Sequence, residues 1–219
     1  MRYPLTFLLI VVNIIVFEIV FSMPETMIEQ VFEMFSFSRE TSLELWRWVT
    51  SMFLHASASH LFFNMLGLYF FGRILEDEVP KQWFLAIYFV SGFLGTLAYM
   101  FTSLSPVVGA SGAVFGVMGA AMLLKPLRKV HFYIFPLPLG VVAITFAIFE
   151  LFVVYFQPDD ITKLSNVANI AHVGGLMTGA LFAMFHDYKK SLKGIFTLIF
   201  LLILLIILGP IFALIGSFG

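Results

Sequence analysis

The sequence predicts an all-α fold, a polytopic bundle of membrane helices, and three observations support this prediction. Of the 219 residues, 61% are hydrophobic and 11% are charged, against about 25% charged residues in soluble domains. The mean hydropathy is +1.02. A soluble chain of this length could not bury so much apolar surface, so lipid must cover the remainder. The apolar residues also form long segments, each close to the length that a membrane helix needs.

Seven such segments follow one another along the chain. About 20 residues span a hydrocarbon core, and several segments are near or below that length or contain polar residues, which favours positions inside a bundle. The last segment is nearly unbroken Leu, Ile and Phe, so much of it can face lipid. We expect a six-helix core over residues 1–190 and an additional helix within 191–219. The segments are 5–22, 58–75, 83–103, 107–124, 132–156, 167–185 and 195–215.

The first segment resembles a signal peptide only superficially. Arg2 alone supplies a positive charge before it, Glu18 interrupts it, and no small-x-small cleavage site follows. We therefore expect a retained transmembrane helix.

The connection over residues 23–50 mixes acidic residues with Phe and Trp. This mixture favours short amphipathic helices at the membrane interface. A folded loop outside the membrane is the alternative.

The distribution of Lys and Arg predicts the orientation, because cytoplasmic loops carry the excess of these residues. If the N-terminus is cytoplasmic and all seven segments cross, the outer side holds only Arg39, Arg47 and Lys163 of the 12 Lys and Arg residues. We therefore expect a cytoplasmic N-terminus.

Charge and cysteine content exclude several classes of function. The formal net charge is −1, which argues against a nucleic-acid partner because phosphate binding needs a basic face. The chain has no cysteine, so disulfides, thiolate catalysis and zinc–thiolate sites are excluded. We expect no cofactor and no metal.

Four polar side chains fall at one depth inside the predicted spans. At a rise of about 1.5 Å per residue, Ser111 and His172 each lie roughly 20 Å from the cytoplasmic end of their segments. By the same count, His60 lies roughly 22 Å and Asn64 roughly 16 Å from that end. In a core about 30 Å thick, all four share a layer about a third of the way in from the outer face. Polar residues inside a span indicate a functional site.

The types and positions of these residues indicate nucleophilic catalysis. Ser111 follows Pro106 and Gly109 and precedes a helical run, so it is expected to begin a helix inside the membrane. The free N–H groups and partial positive charge of a helix start suit an anionic intermediate. A serine there, opposite His172, forms a nucleophile–base pattern. His60 and Asn64 share one helix face and, with the Ser111 N–H, would supply an oxyanion hole.

Structural explanations remain open for each residue alone. A lone serine in a membrane helix usually bonds its own backbone or a neighbouring helix, and a lone histidine can be a packing residue. Gly175 and Gly179 form a small-xxx-small ridge that would let segment six approach segment four. The coincidence of four polar side chains in one layer favours the catalytic interpretation. The hydrolase motif G-x-S-x-G is not matched, since position 113 is Ala and no strand precedes the turn.

Taken together, these motifs resemble the rhomboid family of intramembrane serine proteases. The resemblance covers about residues 1–190. It implies a Ser111–His172 dyad, an oxyanion site at His60, Asn64 and Ser111, and transmembrane proteins as substrates in the lipid bilayer. It also implies an active site that opens toward the outer face, in the plasma (inner) membrane of a prokaryote. The matching structural positions are Trp46, Arg47, His55, Glu76, Gly109, Gly112, Gly175 and Gly179.

The sequence departs from the family pattern at Phe115, where many relatives have a tyrosine whose ring stacks on the base. Stacking could survive this change, but a hydroxyl contact could not. The resemblance further implies a lateral gate between segments two and five, for which we consider Phe63, Phe146 and Phe149. Packing or lipid contact is the alternative role for these three rings.

Two other classes of function remain as alternatives. One is a non-catalytic rhomboid-like binder or chaperone of client helices, and the other is a small transporter or channel. The intact Ser111 and His172 argue against the first. The polar layer stops a third of the way into the bilayer, which argues against the second.

Overall fold

The computed structural model describes residues 3–132, 135–156 and 159–216. Helices dominate this part of the chain, so the prediction of a helical membrane fold is confirmed in that form. They are α1 Pro4–Phe21, α2 Glu25–Phe35, α3 Arg47–Thr50, α4 Ala58–Gly67, α5 Arg73–Glu78, α6 Lys81–Met100, α7 Ser111–Leu124, α8 Leu139–Phe156, α9 Asp159–His186 and α10 Tyr188–Gly216. A 3₁₀ turn, Ser51–Phe53, follows α3, and a π-helical turn, Leu68–Gly72, joins α4 to α5.

Three of the described helices are both long and apolar enough to cross a membrane. They cover Pro4–Phe21, Lys81–Met100 and Tyr188–Leu208. The predicted seven crossings, six in the core and one additional, therefore stay a prediction.

A short antiparallel hairpin replaces the start of the predicted fifth segment, so the expected beginning of that helix at 132 is wrong. Strands β1 Lys129–Phe132 and β2 Phe135–Pro138 pair with Lys129 opposite Pro138. Proline lacks the N–H that a helix interior requires, and Pro136 and Pro138 lie directly before α8. The helix consequently begins at Leu139 and not at 132.

Helix α7 lies at the centre of the bundle, packed against α6 and α9. From Gly112 to Leu124 its residues are buried apart from Met122. At 1.5 Å per residue its 14 residues span about 20 Å, less than the roughly 30 Å of a hydrocarbon core. The predicted segment began at 107, whereas the helix begins at Ser111, so the serine stands at a helix start.

The connection between α1 and α4 contains helix α2 and is tied to the segment before α7. Phe37 and Val107 exchange two backbone hydrogen bonds, with N···O distances of 3.1 and 2.7 Å. This pairing holds the connection over the end of the bundle where α7 begins.

Candidate active site

The four polar residues predicted from the sequence line a single cavity of about 270 Å³. Ser111 begins α7, His172 lies on α9, and His60 and Asn64 lie on α4. Their side chains thus come from three helices and meet between them. Phe71 and Met118 also line this cavity, together with Ser59, Phe63, Gly67, Val114, Phe115 and Phe146.

The start of α7 is fixed by the backbone that precedes it. Gly109 has φ of 118°, a left-handed conformation that favours glycine. A Cβ there would lie 2.6 Å from two atoms of the His60 ring, so the glycine also lets His60 approach. The Gly109 N–H donates to the Ser51 carbonyl at 2.8 Å.

His55 stabilises the same turn through a hydrogen bond. Its side chain is buried, and its Nε2 accepts a hydrogen bond from the Ala110 N–H at 3.4 Å. Burial, and then the neighbouring His60, lower the pKa of His55 to about 4. The ring is therefore neutral at pH 7, and its tautomer protonated at Nδ1 has the Nε2 lone pair that this bond needs.

His172 is held by an aromatic ring. The Phe115 ring stacks on its imidazole with centroids 4.3 Å apart and planes inclined by only 4°. Phe115 lies one turn after Ser111 on α7, so the helix that begins with the serine also orients the histidine. Phe115 is in turn 5.9 Å from Phe146, centroid to centroid.

His60 and Asn64 are positioned by the first turns of α4. The Ser57 hydroxyl caps this helix by accepting from the His60 N–H at 3.1 Å. The Asn64 Nδ2 donates to the His60 carbonyl at 2.9 Å. A side-chain amide has two N–H donors, so one remains for a group inside the cavity.

The glycines of α9 bring the helix that carries His172 against the backbone of α7. A Cβ added at Gly175 would collide with the Gly112 carbonyl, and one added at Gly179 would collide with the Gly116 carbonyl. At Gly112 itself an added Cβ would make only ordinary contacts, of which the shortest is 3.6 Å. Glycines of both helices therefore permit the close approach, since a Cβ added at Gly119 of α7 would also collide with the Leu176 carbonyl of α9.

The Trp46–Arg47 pair divides into an exposed and a buried residue. Arg47 is buried, and its guanidinium donates to the Ser36 carbonyl at 3.0 Å and to Glu44 at 2.7 Å. Trp46 is 52% exposed. The buried indole is that of Trp48, stacked on Phe93 at 4.3 Å, a packing position that the sequence analysis did not single out.

Glu76 lies at the opposite end of the bundle, where it caps α1. Its carboxylate accepts from the Leu5 and Thr6 N–H groups at 2.9 Å and from the Thr6 hydroxyl at 2.7 Å. A carboxylate at a helix N-terminus accepts hydrogen bonds from the free N–H groups and interacts favourably with the positive end of the helix dipole.

Two of the three rings considered for a gate lie beside the cavity. Phe63, on α4, is 59% exposed. Phe63 and Phe146 line both the cavity and a neighbouring apolar cavity of about 300 Å³ between α4 and α8. The Phe149 side chain lies outside the side chains that the structure describes.

Comparison with known proteins gives consistent matches. A family model described as Rhomboid domain matches residues 42–189. The rhomboid protease GlpG of Pectobacterium atrosepticum is 33% identical over 189 residues, which are 86% of this chain and 64% of that protein. RHOMBOID-like protein 6, mitochondrial, of Arabidopsis thaliana is 39% identical over 142 residues, 62% of this chain and 42% of that protein.

A third relative, the rhomboid protease GluP of Bacillus subtilis, is 33% identical over 146 residues, which are 65% of this chain and 27% of that protein. The chain thus spans between 27% and 64% of the length of these three relatives.

Proposed function

The chain belongs to the rhomboid family, and we propose that it is an intramembrane serine endopeptidase. Its substrates are other membrane proteins, cut in or near their transmembrane segments. The observation that carries the proposal is the shared cavity of Ser111, His172, His60 and Asn64. The Phe115 ring, stacked on His172, supports the assignment because it orients an imidazole toward that cavity.

Ser111 acts as the nucleophile and His172 as the base. The Ser111 Oγ attacks the carbonyl carbon of the scissile peptide while its proton passes to His172. The imidazolium then gives this proton to the leaving amine, and an acyl-enzyme remains. A water molecule, deprotonated by His172, hydrolyses the ester and restores the serine.

The oxyanion is stabilised by donors on two helices. The Ser111 N–H belongs to the first turn of α7, where N–H groups lack intrahelical acceptors. Asn64 supplies an amide N–H, and His60 supplies a ring N–H from the same face of α4. Preorganised donors of this kind stabilise the negative charge that develops in the transition state.

The test is cleavage of a transmembrane substrate by purified wild type, Ser111→Ala and His172→Ala. Either substitution should abolish turnover, because a dyad without its nucleophile or base retains only binding and residual electrostatics. Ser105→Ala is the matched control, since Ser105 is exposed in the loop before α7. Near-normal turnover by either variant would exclude the dyad.

Labelling with a fluorophosphonate separates the protease from a non-catalytic binder of helices. An activated serine should react in wild type and in Ser105→Ala but not in Ser111→Ala. A folded wild-type protein that binds the substrate without labelling would favour the binder.

The orientation follows from the Lys and Arg distribution, with the N-terminus in the cytoplasm and the cavity opening toward the outer face. We propose a prokaryotic plasma membrane, although one relative is named as mitochondrial. The protease unit covers residues 1–190, and 191–219 add a further transmembrane helix. Phe196, Phe200 and Ile206 on that helix are exposed, as lipid contact requires.

A further inference from the structure

A second cavity, here called the basal pocket, lies at the end of the bundle opposite the candidate active site. It has a volume of about 680 Å³ and is lined by Tyr3, Tyr69, Arg73, Asp77, Arg128 and Lys129, with four apolar neighbours. Arg128 and Lys129 follow the end of α7, whereas Ser111 begins that helix. The length of α7, about 20 Å, therefore separates the two cavities.

The described lining of the basal pocket is positively charged. Arg73, Arg128 and Lys129 face one carboxylate, that of Asp77. Asp77 accepts a hydrogen bond from the Tyr3 hydroxyl at 3.1 Å and lies 4.0 Å from the Arg128 guanidinium. Nearby Glu76 is engaged with the start of α1. The cations thus outnumber the carboxylates that can neutralise them.

Arg73 is held in place by two aromatic rings of the pocket lining. Its guanidinium carbon lies 4.9 Å from the Tyr3 ring centre and 4.7 Å from that of Tyr69, an arrangement that cation–π attraction stabilises. Its Nε is buried and has no hydrogen-bond partner among the described residues. Because Nε has almost no accessible surface, a ligand in the pocket would meet this guanidinium at its other N–H groups.

The rest of the lining is apolar. Phe70, Ile74 and Leu127 line the pocket beside the cations, and Leu127 is 62% exposed. An arginine fork matches the geometry of a phosphate group. Basic pockets between membrane helices suit the headgroups of anionic lipids, and exposed apolar side chains suit the adjoining chains.

We propose that the basal pocket binds, through Arg73, Arg128 and Lys129, a phosphate group in a ligand of net negative charge. An anionic phospholipid and a soluble phosphate ester both carry this group, and the apolar lining favours the phospholipid. The proposal concerns binding alone, so it does not depend on the protease activity.

The test is native mass spectrometry of the full chain in detergent, titrated with phosphatidylglycerol or phosphatidylcholine of identical acyl chains. Wild type should bind phosphatidylglycerol more tightly. The double variant Arg128→Gln/Lys129→Gln should bind it roughly thirtyfold more weakly, since each cation near an anionic headgroup contributes about fivefold. Both side chains are exposed, so the variant should fold.

Lys81→Gln/Lys189→Gln is the matched control, because it removes two exposed cations that do not line the pocket. It should bind phosphatidylglycerol like wild type. Arg73→Lys, which keeps the charge but loses the fork, should weaken binding in a protein of unchanged secondary structure.

Competition with glycerol 3-phosphate identifies the source of the phosphate. Displacement of the lipid at millimolar concentration would support a soluble phosphate ester, and failure to displace it would support the phospholipid. The proposal would be overturned if wild type bound the two lipids equally and glycerol 3-phosphate displaced neither. It would also be overturned if Lys81→Gln/Lys189→Gln lost as much affinity for phosphatidylglycerol as Arg128→Gln/Lys129→Gln.

Discussion

At the scale of single residues, Phe115 provides the contact that many relatives make with a tyrosine. Its ring lies flat on His172, with the planes inclined by 4°. The contact is made between ring faces, so it needs no hydroxyl. The departure noted in the sequence therefore leaves the orientation of the proposed base intact.

We predict that Phe115→Leu lowers kcat by up to about tenfold, since an aromatic pair contributes roughly 0.5–1.5 kcal/mol beyond its buried area. Phe115→Tyr should retain turnover, because it keeps the stacked ring. Steady-state cleavage of a transmembrane substrate measures both, with Phe196→Leu on the exposed face of α10 as control. Equal turnover in Phe115→Leu and wild type would show that stacking does not orient the base.

Asn64 is predicted to act mainly on turnover. Losing one oxyanion donor typically costs about 10²–10³-fold in kcat, so Asn64→Ala should lower kcat far more than it raises KM. Asn13→Ala is a matched control: Asn13 also donates its amide to the carbonyl four residues earlier, at 2.8 Å, but it does not line the cavity. Its loss should affect thermal stability and leave kcat unchanged. Unchanged kcat in Asn64→Ala would leave His60 and the Ser111 N–H as the donors.

At the scale of helices, the packing of α9 on α7 determines where His172 lies. Gly175 and Gly179 face backbone carbonyls of α7, so a methyl group at either position would push the helices apart. The small-residue spacing was visible in the sequence. The sequence analysis also expected these glycines to pack against segment four, which contains α7.

We predict that Gly175→Ala and Gly179→Ala each lower both Tm and kcat. Overpacking of this kind costs about 1–3 kcal/mol, which exceeds the gain of roughly 1 kcal/mol from the higher helix propensity of alanine. Met177→Ala is the control on the same helix, because Met177 is 60% exposed. Thermal unfolding in detergent and substrate cleavage measure the effects. Alanine variants as stable as wild type would show that α7 can shift to accommodate the added methyl groups.

The candidate site was largely readable from the sequence because a polar residue in an apolar helix is conspicuous. Helical rise alone placed Ser111, His172, His60 and Asn64 at one depth, and all four line one cavity. The partners of Glu76 were not readable. They lie about 70 residues away on α1, and no local pattern encodes such a distance.

The hairpin before α8 shows how an apolar run can mislead. Residues 132–156 form one apolar stretch by composition, but Pro136 and Pro138 exclude a helix over its first part. Those prolines indicated locally that no helix forms there, but the apolar composition of the whole stretch led to the prediction of one continuous helix. By contrast, the burial of Trp48 instead of Trp46 depends on Phe37, in the same connection, and on Phe93 of α6, which lies far along the chain.

At the scale of the whole molecule, the apolar cavity between α4 and α8 adjoins the candidate active site, and we propose that substrates enter through it from lipid. Phe63 and Phe146 line both cavities. If ring bulk limits entry, Phe63→Ala should raise the rate of cleavage of a transmembrane substrate. Phe62→Ala is the matched control: Phe62 is the adjacent residue, similarly exposed at 58%, but it lines neither cavity. Equal loss of activity and stability in both variants would favour a packing role.

If Ser111 is the nucleophile, as we propose, its position across the membrane also limits where a substrate can be cut. Helix α7 is too short to cross the hydrocarbon core, and it ends near the predicted cytoplasmic side. In the proposed orientation its first residue therefore lies about a third of the way in from the outer face. A substrate helix keeps its carbonyls hydrogen-bonded, so the scissile stretch must unwind to reach the serine.

We predict that cleavage falls near the outer end of the substrate's transmembrane segment. Each unpaired backbone group in hydrocarbon costs several kcal/mol, so unwinding is feasible only where Gly, Pro or a wet cavity lowers that cost. Substrates should carry small residues near their outer end, with one just before the cut. Mass spectrometry of products from substrates whose small-residue patch is moved stepwise inward tests this, with Ser111→Ala as the blank. Cuts at the cytoplasmic end, or indifference to the patch, would contradict the orientation or the unwinding argument.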